Sequence, residues 1–388
     1  MNISMASDQP VVVLIGNYPE DRQESMLRFR DLIQSRLEAD GYSVESIFPR
    51  AFLGRLARKG AVAKWLAYLD KYVFFPLGLG RQLAGVKRNF PGRKVVVHIC
   101  DHSNAVYAAQ SRRWFPVLVT CHDLLAVRGA LGEDTDCPAS GFGKLLQFAI
   151  LRGLRKANLV VCVSRATQDD LVRLAGPDLG SRSQIIPLTI NYPYRTLPQK
   201  DALEILAQAS INLPYQGFIL HVGSGLRRKN RQALFLAVAQ IKDSWPGQIA
   251  FAGERLSVEE WNLARSLGVE NRVFEIARPD NIVLQALYSA AHCLVFMSRF
   301  EGFGWPLLEA QASGCPVICS NRTSVPEVAG EGALIHEPDD YAGIARDIQR
   351  LEEASFRENM IALGFKNAQG YTDERMMRAY QDIYRRIE

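Results

Sequence analysis

The sequence predicts an α/β protein built from two doubly wound parallel sheets. At 388 residues the chain is long for one hydrophobic core and comfortable for two. Short β-rich apolar runs alternate with helix-like stretches nearly throughout, the pattern of βα units. The clearest run, Val11-Val12-Val13-Leu14-Ile15, is apolar at every position, as a strand covered on both faces must be.

The remaining runs follow in order. The first half offers strands at 11–15, 42–47, 94–100, 116–120, 158–163 and 184–187, and the second at 218–222, 248–252, 272–276, 293–298, 316–320 and 333–335. Between the halves, residues 188–198 carry Pro193 and Pro198 without clear periodicity and read as a linker, which gives domains over 1–190 and 199–371. The closing stretch 372–388 reads as one amphipathic helix with Met376, Met377, Tyr380, Ile383 and Tyr384 on a face. Doubly wound sheets bind ligands outside the carboxyl ends of their strands, so chemistry is expected on those loops, facing a cleft between the domains.

Composition excludes several classes. With 48% apolar and 22% charged residues the chain is neither disordered nor collagen-like. Seven cysteines without a CxxC pair, several inside apolar runs, read as small buried thiols in a reducing compartment rather than as disulfides or a zinc site. A charged leader with an apolar stretch is not seen, nor 18 consecutive apolar residues, so a cytoplasmic location is expected, with the inner membrane face as an extension. The formal charge of +5 is uneven: from Arg50 to Arg93 ten Lys or Arg face one acid, Asp70, a local +9 that leaves the remainder at −4. Phe52, Trp65, Tyr68, Tyr72, Phe74 and Phe75 are interleaved with these cations. Two readings follow, an anionic membrane surface bound by this segment, or a solvated basic face over aromatic core residues. No nucleic-acid partner is expected.

Three loops concentrate the chemistry. After the run at 293–298 comes Arg299-Phe300-Glu301-Gly302-Phe303-Gly304-Trp305-Pro306-Leu307-Leu308-Glu309. Gly302 and Gly304, on either side of Phe303, let the backbone approach a ligand, Pro306 suits a first helical turn, and Gly314 ends the helix. After the run at 218–222, Gly223-Ser224-Gly225-Leu226-Arg227-Arg228-Lys229-Asn230 places three cations at an expected helix start, suited to a diphosphate. After the run at 116–120 stands His122, with Asp123 as its neighbour. Gly16 and Asn17 follow the first strand; His98, Asp101 and His102 form a further polar group that either lines an acceptor site or bonds within itself. Ser164 reads as a helix N-cap and nothing more.

The stretch from Ser298 to Asp339, with Glu301 and Glu309 in an E-x7-E pattern, Gly314-Cys315-Pro316-Val317-Ile318 and Pro326-Glu327-Val328-Ala329-Gly330, resembles the family 4 retaining glycosyltransferases of GT-B fold, and most nearly bacterial polysaccharide mannosyltransferases. The resemblance implies a GT-B protein with two Rossmann-like domains and a nucleoside-diphosphate sugar as donor substrate, GDP-mannose ahead of a UDP-hexose, with no cofactor. It implies that Glu301 meets the transferred sugar, Glu309 the ribose, Lys229 the diphosphate, and that His122 lies against the sugar. Glu301, His122 and Lys229 are thus the catalytic candidates. Gly16, Asn17, Gly223, Ser224, Arg227, Arg228, Arg278, Gly302, Phe303, Gly304 and Glu309 join Lys229 as donor-binding, and Asp101, His102 and Asp123 belong to the acceptor side. Ser224 stands where many members carry arginine, so Arg227 or Arg228 is expected to supply that guanidinium. The acceptor would be a glycan or lipid-linked glycan, and the closing helix would return to the first domain, Gly370 permitting the turn.

A metal is not expected. Asp134-Thr135-Asp136 has the spelling of a metal-binding pair but lies in a polar segment that follows no apolar strand, and HExxH is absent. No G-x4-G-K-[ST] loop occurs, and only Gly16 follows the first strand where a dinucleotide fold needs G-x-G-x-x-G. The rivals are a sugar-nucleotide epimerase of the same fold and an inactive nucleotide-sugar-binding protein.

Overall fold

In the computed structural model, which describes residues 9–21, 23–55 and 60–388, parallel strands form two separate sheets. The chain divides into one unit of Met1–Pro187 with Asp373–Glu388 and a second of Leu188–Thr372. Among the described residues the first unit holds β1 (Val11–Ile15), β2 (Val44–Ile47), β3 (Val95–Ile99), β4 (Val117–Cys121), β5 (Leu159–Cys162) and β6 (Ser183–Ile185), in the order β2-β1-β3-β4-β5-β6. The second holds β7 (Phe218–Gly223), β8 (Gln248–Gly253), β9 (Val273–Ala277), β10 (Cys293–Phe296), β11 (Val317–Ser320) and β12 (Ala333–His336), in the order β12-β11-β10-β7-β8-β9. Each predicted run coincides with one of these strands to within two residues at either end.

In the first sheet, Val11, Val13 and Ile15 of β1 and Val95, Val97 and Ile99 of β3 point to one face, where they pack with Leu79, Leu83 and Val86 of helix Phe75–Asn89 and Ile150, Leu151 and Leu154 of helix Gly141–Lys156. Strand alternation sends His98 to the other face. Helix Asp373–Arg386 lies there, burying Met376, Met377, Tyr380, Ile383 and Tyr384. His98 Nδ1 is 2.8 Å from Tyr384 Oη and Nε2 is 2.8 Å from Thr120 Oγ1, which is 3.0 Å from Tyr380 Oη. His98 therefore belongs to the docking of the last helix, not to a polar group with Asp101 and His102 as the sequence suggested. Lys94 Nζ donates to the Arg385 carbonyl at 2.6 Å, and Arg36 pairs with Asp373.

The basic segment is resolved into parts, with Arg58 and Lys59 outside the described residues. Helix Gly60–Leu69 runs into a π-helical turn, Asp70–Phe74, and then into helix Phe75–Asn89. Of its aromatics, Phe75 is a core residue at 6% exposure, which removes it from any surface role, whereas Phe52, Trp65 and Phe74 are 66%, 54% and 45% exposed. Asp70 is buried beneath them and accepts the Tyr18 hydroxyl at 3.0 Å and the backbone N–H groups of Phe52, Leu53 and Gly54 at 3.1, 3.0 and 2.9 Å. Among the described residues no helix is long and apolar enough to cross a membrane.

In the second unit, residues 188–198 are irregular but anchored: Leu197 N–H donates to Ser289 Oγ, and Gln285 Nε2 donates to the Arg195 carbonyl. Its core joins Ile219, Ile249, Phe251 and Val295 of the sheet to Phe235 and Val238 of helix Gln232–Ile241 and Ile344 and Ile348 of helix Tyr341–Arg350.

Candidate functional site

In doubly wound sheets the strand order reverses at one point, and the loops leaving the two strands there diverge to open a crevice. In the second unit that point lies between β7 and β10. Gly223 ends β7 at φ +150°, opposite Gly253 of β8, where a Cβ would sit 2.2 Å from the Gly223 carbonyl oxygen. Only glycine lets the two strand ends come this close. The chain then makes a 3-10 turn, Arg227–Lys229, and Asn230 takes a left-handed conformation with its Nδ2 donating to the Pro338 carbonyl at 2.9 Å. The long helix starts only at Gln232, so the three cations precede it rather than opening it as the sequence suggested.

Lys229 Nζ lies 2.6 Å from Glu301 Oε1 and 5.4 Å from the Phe296 ring centroid. The pair keeps some contact with solvent, the side chains being 13% and 11% exposed. Backbone bonds fix the loop that carries Glu301. Arg299 N–H donates to the Arg228 carbonyl at 2.7 Å, and Glu301 N–H donates to Thr323 Oγ1 at 3.0 Å. Ser324 Oγ donates to the carbonyls of Glu301 and Phe303 at 3.0 and 2.9 Å. Gly304, at φ +106°, turns the chain into helix Trp305–Ala312, with Pro306 in its first turn. One turn on, Glu309 is buried and accepts the Tyr288 hydroxyl at 2.9 Å. Burial, and then the Glu309 charge, push the Tyr288 hydroxyl far above its usual pKa, so it remains a donor.

Beneath the pair sits His221, buried and stacked on Phe296 at 6.4 Å. Burial, followed by the charges of Lys229 and Arg231, pushes its pKa down to about 3, which keeps a third positive charge from forming there. Arg231 donates to Glu260 through Nε at 2.8 Å and NH2 at 2.6 Å, and to the Glu254 carbonyl through NH1. The Glu254 carboxylate in turn accepts Gly225 N–H at 2.9 Å. Ser224, Arg228 and Gly302 are half-buried and Arg227 is exposed. Arg278 lies past β9 in a left-handed conformation, its N–H donating to the Gly253 carbonyl at 3.0 Å.

The corresponding crevice of the first unit lies between β1 and β3. Asn17, directly after β1 and Gly16, is buried and donates from Nδ2 to Asp101 Oδ2 at 2.6 Å, while its Oδ1 accepts Asn104 Nδ2 at 2.8 Å. Asp101 also caps the next turn through Ser103 N–H and lies 3.0 Å from His102 Nδ1. Against the cost of its burial, His102 and then His122 and Ser103 hold the Asp101 carboxyl well below the usual range. His122 Nε2 is 3.0 Å from the Cys100 carbonyl, and Phe29 packs edge-on at 4.9 Å. Burial lowers its pKa although the Asp101 charge opposes this, so the ring is neutral at pH 7. A neutral imidazole beside a carbonyl carries its proton on Nε2, leaving Nδ1 as an acceptor, and Nδ1 has no hydrogen-bond partner among the described residues. Asp123 does not serve this ring as a hydrogen-bond partner: its Oδ1 accepts Leu125 N–H at 3.0 Å. Ser164 caps helix Arg165–Ala175 by accepting Thr167 N–H.

The structure thus brings Lys229 to Glu301 in the second unit, and Asn17, Asp101 and His102 together in the first. Sequence reasoning missed Tyr288, Thr323, Ser324, Asn104 and Arg231. Thr323 and Ser324 lie within the quoted stretch between Ser298 and Asp339 and were open to inspection; Tyr288 and Asn104 carry no local signal, since only packing brings them to Glu309 and Asn17. Among the described residues no group of three or more His, Cys, Asp or Glu side chains is placed to hold a metal ion.

Two family models match the chain, one described as Glycosyltransferase Family 4 over residues 32–192 and one as Glycosyl transferases group 1 over residues 208–366. The O-antigen chain mannosyltransferase B of Escherichia coli is 29% identical over 238 residues, 60% of this chain and 61% of that protein. The serotype-specific mannosyltransferase WbdA of Escherichia coli is 33% identical over 371 residues, 92% of this chain and 42% of that protein. The chain therefore spans less than two thirds of the length of these relatives. In fold it is similar to a sucrose-phosphate synthase from Thermosynechococcus elongatus, with a TM-score of 0.72 at 20% identity over 97% of this chain and 98% of that one.

Proposed function

We infer that this chain, which belongs to the family 4 glycosyltransferases of GT-B fold, transfers a hexose with retention from a nucleoside-diphosphate sugar to a glycan or lipid-linked glycan in cell-surface polysaccharide synthesis, without a metal ion. The observation that carries this reading is the Lys229–Glu301 pair at 2.6 Å, set on the two loops that leave the switch point of the second sheet. A lysine paired to a carboxylate there is preorganised to exchange that partner for a diphosphate, releasing Glu301 to the sugar hydroxyls.

The bond from the anomeric carbon to the diphosphate oxygen breaks, and its electron pair leaves on the diphosphate. Lys229, with Arg227 or Arg228 in place of the arginine absent at Ser224, stabilises that growing charge. The acceptor oxygen attacks from the same face and its proton passes to the departing phosphate oxygen, which preserves configuration. Glu301 orients the sugar and supports positive charge at the anomeric carbon. Glu309, kept aligned by Tyr288, takes the ribose, with Gly223, Ser224, Gly302, Phe303, Gly304 and Arg278 completing the donor walls. His122, neutral with a free Nδ1 acceptor, receives a sugar hydroxyl beside Gly16 and Asn17; Asp101, His102 and Asp123 belong to the acceptor side.

The relation to mannosyltransferases makes GDP-mannose the first donor to test. The basic segment supports attachment to the inner membrane face, since exposed Phe52, Trp65 and Phe74 accompany its cations, and each cation near an anionic bilayer contributes about 1 kcal/mol. Incubation with GDP-mannose or UDP-glucose in excess EDTA, followed by detection of GDP or UDP and by NMR of the product anomer, tests the whole reading. Release of nucleoside diphosphate with an unchanged anomer is expected. Activity that vanishes in EDTA and returns only with manganese or magnesium would defeat the metal-free mechanism, and an isomerised nucleotide sugar formed without acceptor would replace transfer by epimerisation.

A further inference from the structure

In the first unit a groove of about 800 Å³ opens beside the buried Asp70. Its walls are largely apolar, formed by Phe48, Phe52, Leu53, Phe74 and Leu77, with the Arg50 and Arg81 side chains also lining it. A second recess of about 480 Å³ shares Phe48, Arg50 and Phe52 and adds Arg55 and Glu20. Leu77 is 73% exposed and Phe52 66%, so the apolar walls are open to solvent.

The groove is built rather than accidental. The Asp70 carboxylate receives three consecutive backbone N–H groups from Phe52 to Gly54 and the Tyr18 hydroxyl, which fixes the loop that forms one wall. Asp70 also lines the groove, with its carboxylate already engaged by those four donors. Gly54 permits the fit, because a Cβ there would sit 2.1 Å from Tyr18 Oη. The opposite wall is the start of helix Phe75–Asn89, where Gly78 leaves space: a Cβ there meets only Gln82 Nε2, at 3.7 Å.

An apolar trough with arginines along it matches a molecule that is a long hydrocarbon at one end and a phosphate at the other. Arginine forks suit phosphate oxygens, and the volume falls within the range of small-molecule sites. We propose that this groove binds the phosphate-headed end of a long-chain lipid, the carrier portion of a lipid-linked acceptor. The proposal rests on the lipid-linked acceptor of the reading above. The hydrocarbon lies along Phe48, Leu53, Phe74 and Leu77, and Arg50, on the wall common to both recesses, meets the phosphate together with Arg81.

Calorimetric titration of the full chain with farnesyl phosphate, farnesol and inorganic phosphate tests it. Farnesyl phosphate is expected to bind at least tenfold tighter than farnesol, with inorganic phosphate giving no heat. Gly78→Leu fills the trough at a helical position with room for a side chain and should weaken farnesyl phosphate at least tenfold; Leu77→Glu, at an exposed position, should do the same should the first variant fold poorly. The double variant Arg50→Ala, Arg81→Ala should bind farnesyl phosphate no better than farnesol. Unchanged binding in both trough variants, with circular dichroism unchanged, would overturn the site, as would inorganic phosphate binding as well as farnesyl phosphate. Co-sedimentation with phosphatidylglycerol vesicles without farnesyl phosphate binding would also overturn it, in favour of a membrane contact outside the groove. Donor hydrolysis without lipid separates the two readings: it should persist in Gly78→Leu, and its absence in the wild type would count against glycosyl transfer alone.

Discussion

The two units end their switch points in opposite ways. In the second, Lys229 and Glu301 hold each other at 2.6 Å on loops that retain access to solvent. In the first, Asn17, Asp101 and Asn104 are buried and bonded to one another, and the neutral His122 offers one unmet acceptor. A paired charge near solvent can change partners at modest cost, whereas a buried hydrogen-bonded group cannot be removed without leaving its partner stranded. Groups of the second kind position a neighbour, and groups of the first kind are available to a charged ligand.

The sharpest way to break this contrast is Glu301→Ala. Transfer should fall about 100-fold or more with little change in unfolding midpoint, measured by steady-state product release and by urea titration. A variant that turns over normally, or that loses mainly stability, would move Glu301 into the category of Asp101.

A second test uses pH on the first unit. His98, pushed by burial and then by the His122 charge to about 3, stays neutral in the folded protein while the unfolded chain protonates it below about 6.5. Between those values the unfolded state binds the extra proton, so acid lowers stability by roughly 1.4 kcal/mol for each pH unit. Urea midpoints at pH 7 and pH 5 should converge in His98→Gln relative to wild type; parallel losses would mean that His98 is protonated in its site.

Glu309→Ala should act more gently on activity, raising the donor KM about tenfold while kcat changes less, because a remote ribose contact is made in ground and transition states alike. A fall in kcat with KM unchanged would place Glu309 at the reacting sugar.

The smallest effect is expected at His336, whose ring nitrogens lie 2.8 Å from Asp347 and 3.1 Å from Asp340. The hydrogen bond to Asp347, against burial and with Asp340, raises its pKa. Its contribution is therefore complete below about pH 6.5 and fades as pH rises through the raised value. Comparing His336→Asn with wild type should show a deficit of about 1 kcal/mol or less at pH 5.5 that narrows by pH 9; a deficit independent of pH would show that the ring acts there as packing alone.

Much of this was legible along the chain. The apolar runs located the strands because a parallel strand covered on both faces must be apolar at nearly every position. The Glu301-to-Glu309 stretch was readable because glycine, proline and carboxylate spacing around a strand–loop–helix turn is a local property. His98 was misread, and the choice between a surface and a core role for Phe75 stayed open, for the same reason: in one sequence an inward and an outward side chain look alike until the packing is known. His98 turned out to hold the last helix, and Phe75 to be core beside an exposed Phe74.

By itself the sequence determined the α/β class, the strand positions and the surplus of positive charge between Arg50 and Arg93. The first two are set by neighbours close along the chain, and the third is a property of composition alone. Tertiary structure alone decided that Lys229 meets Glu301 across 72 positions, that Tyr288 supports Glu309, that Asp70 gathers the 52–54 backbone, and which aromatics face water. Those outcomes depend on strand order and on the face each side chain takes. Side chains far apart in the chain meet only once the whole sheet has closed its core.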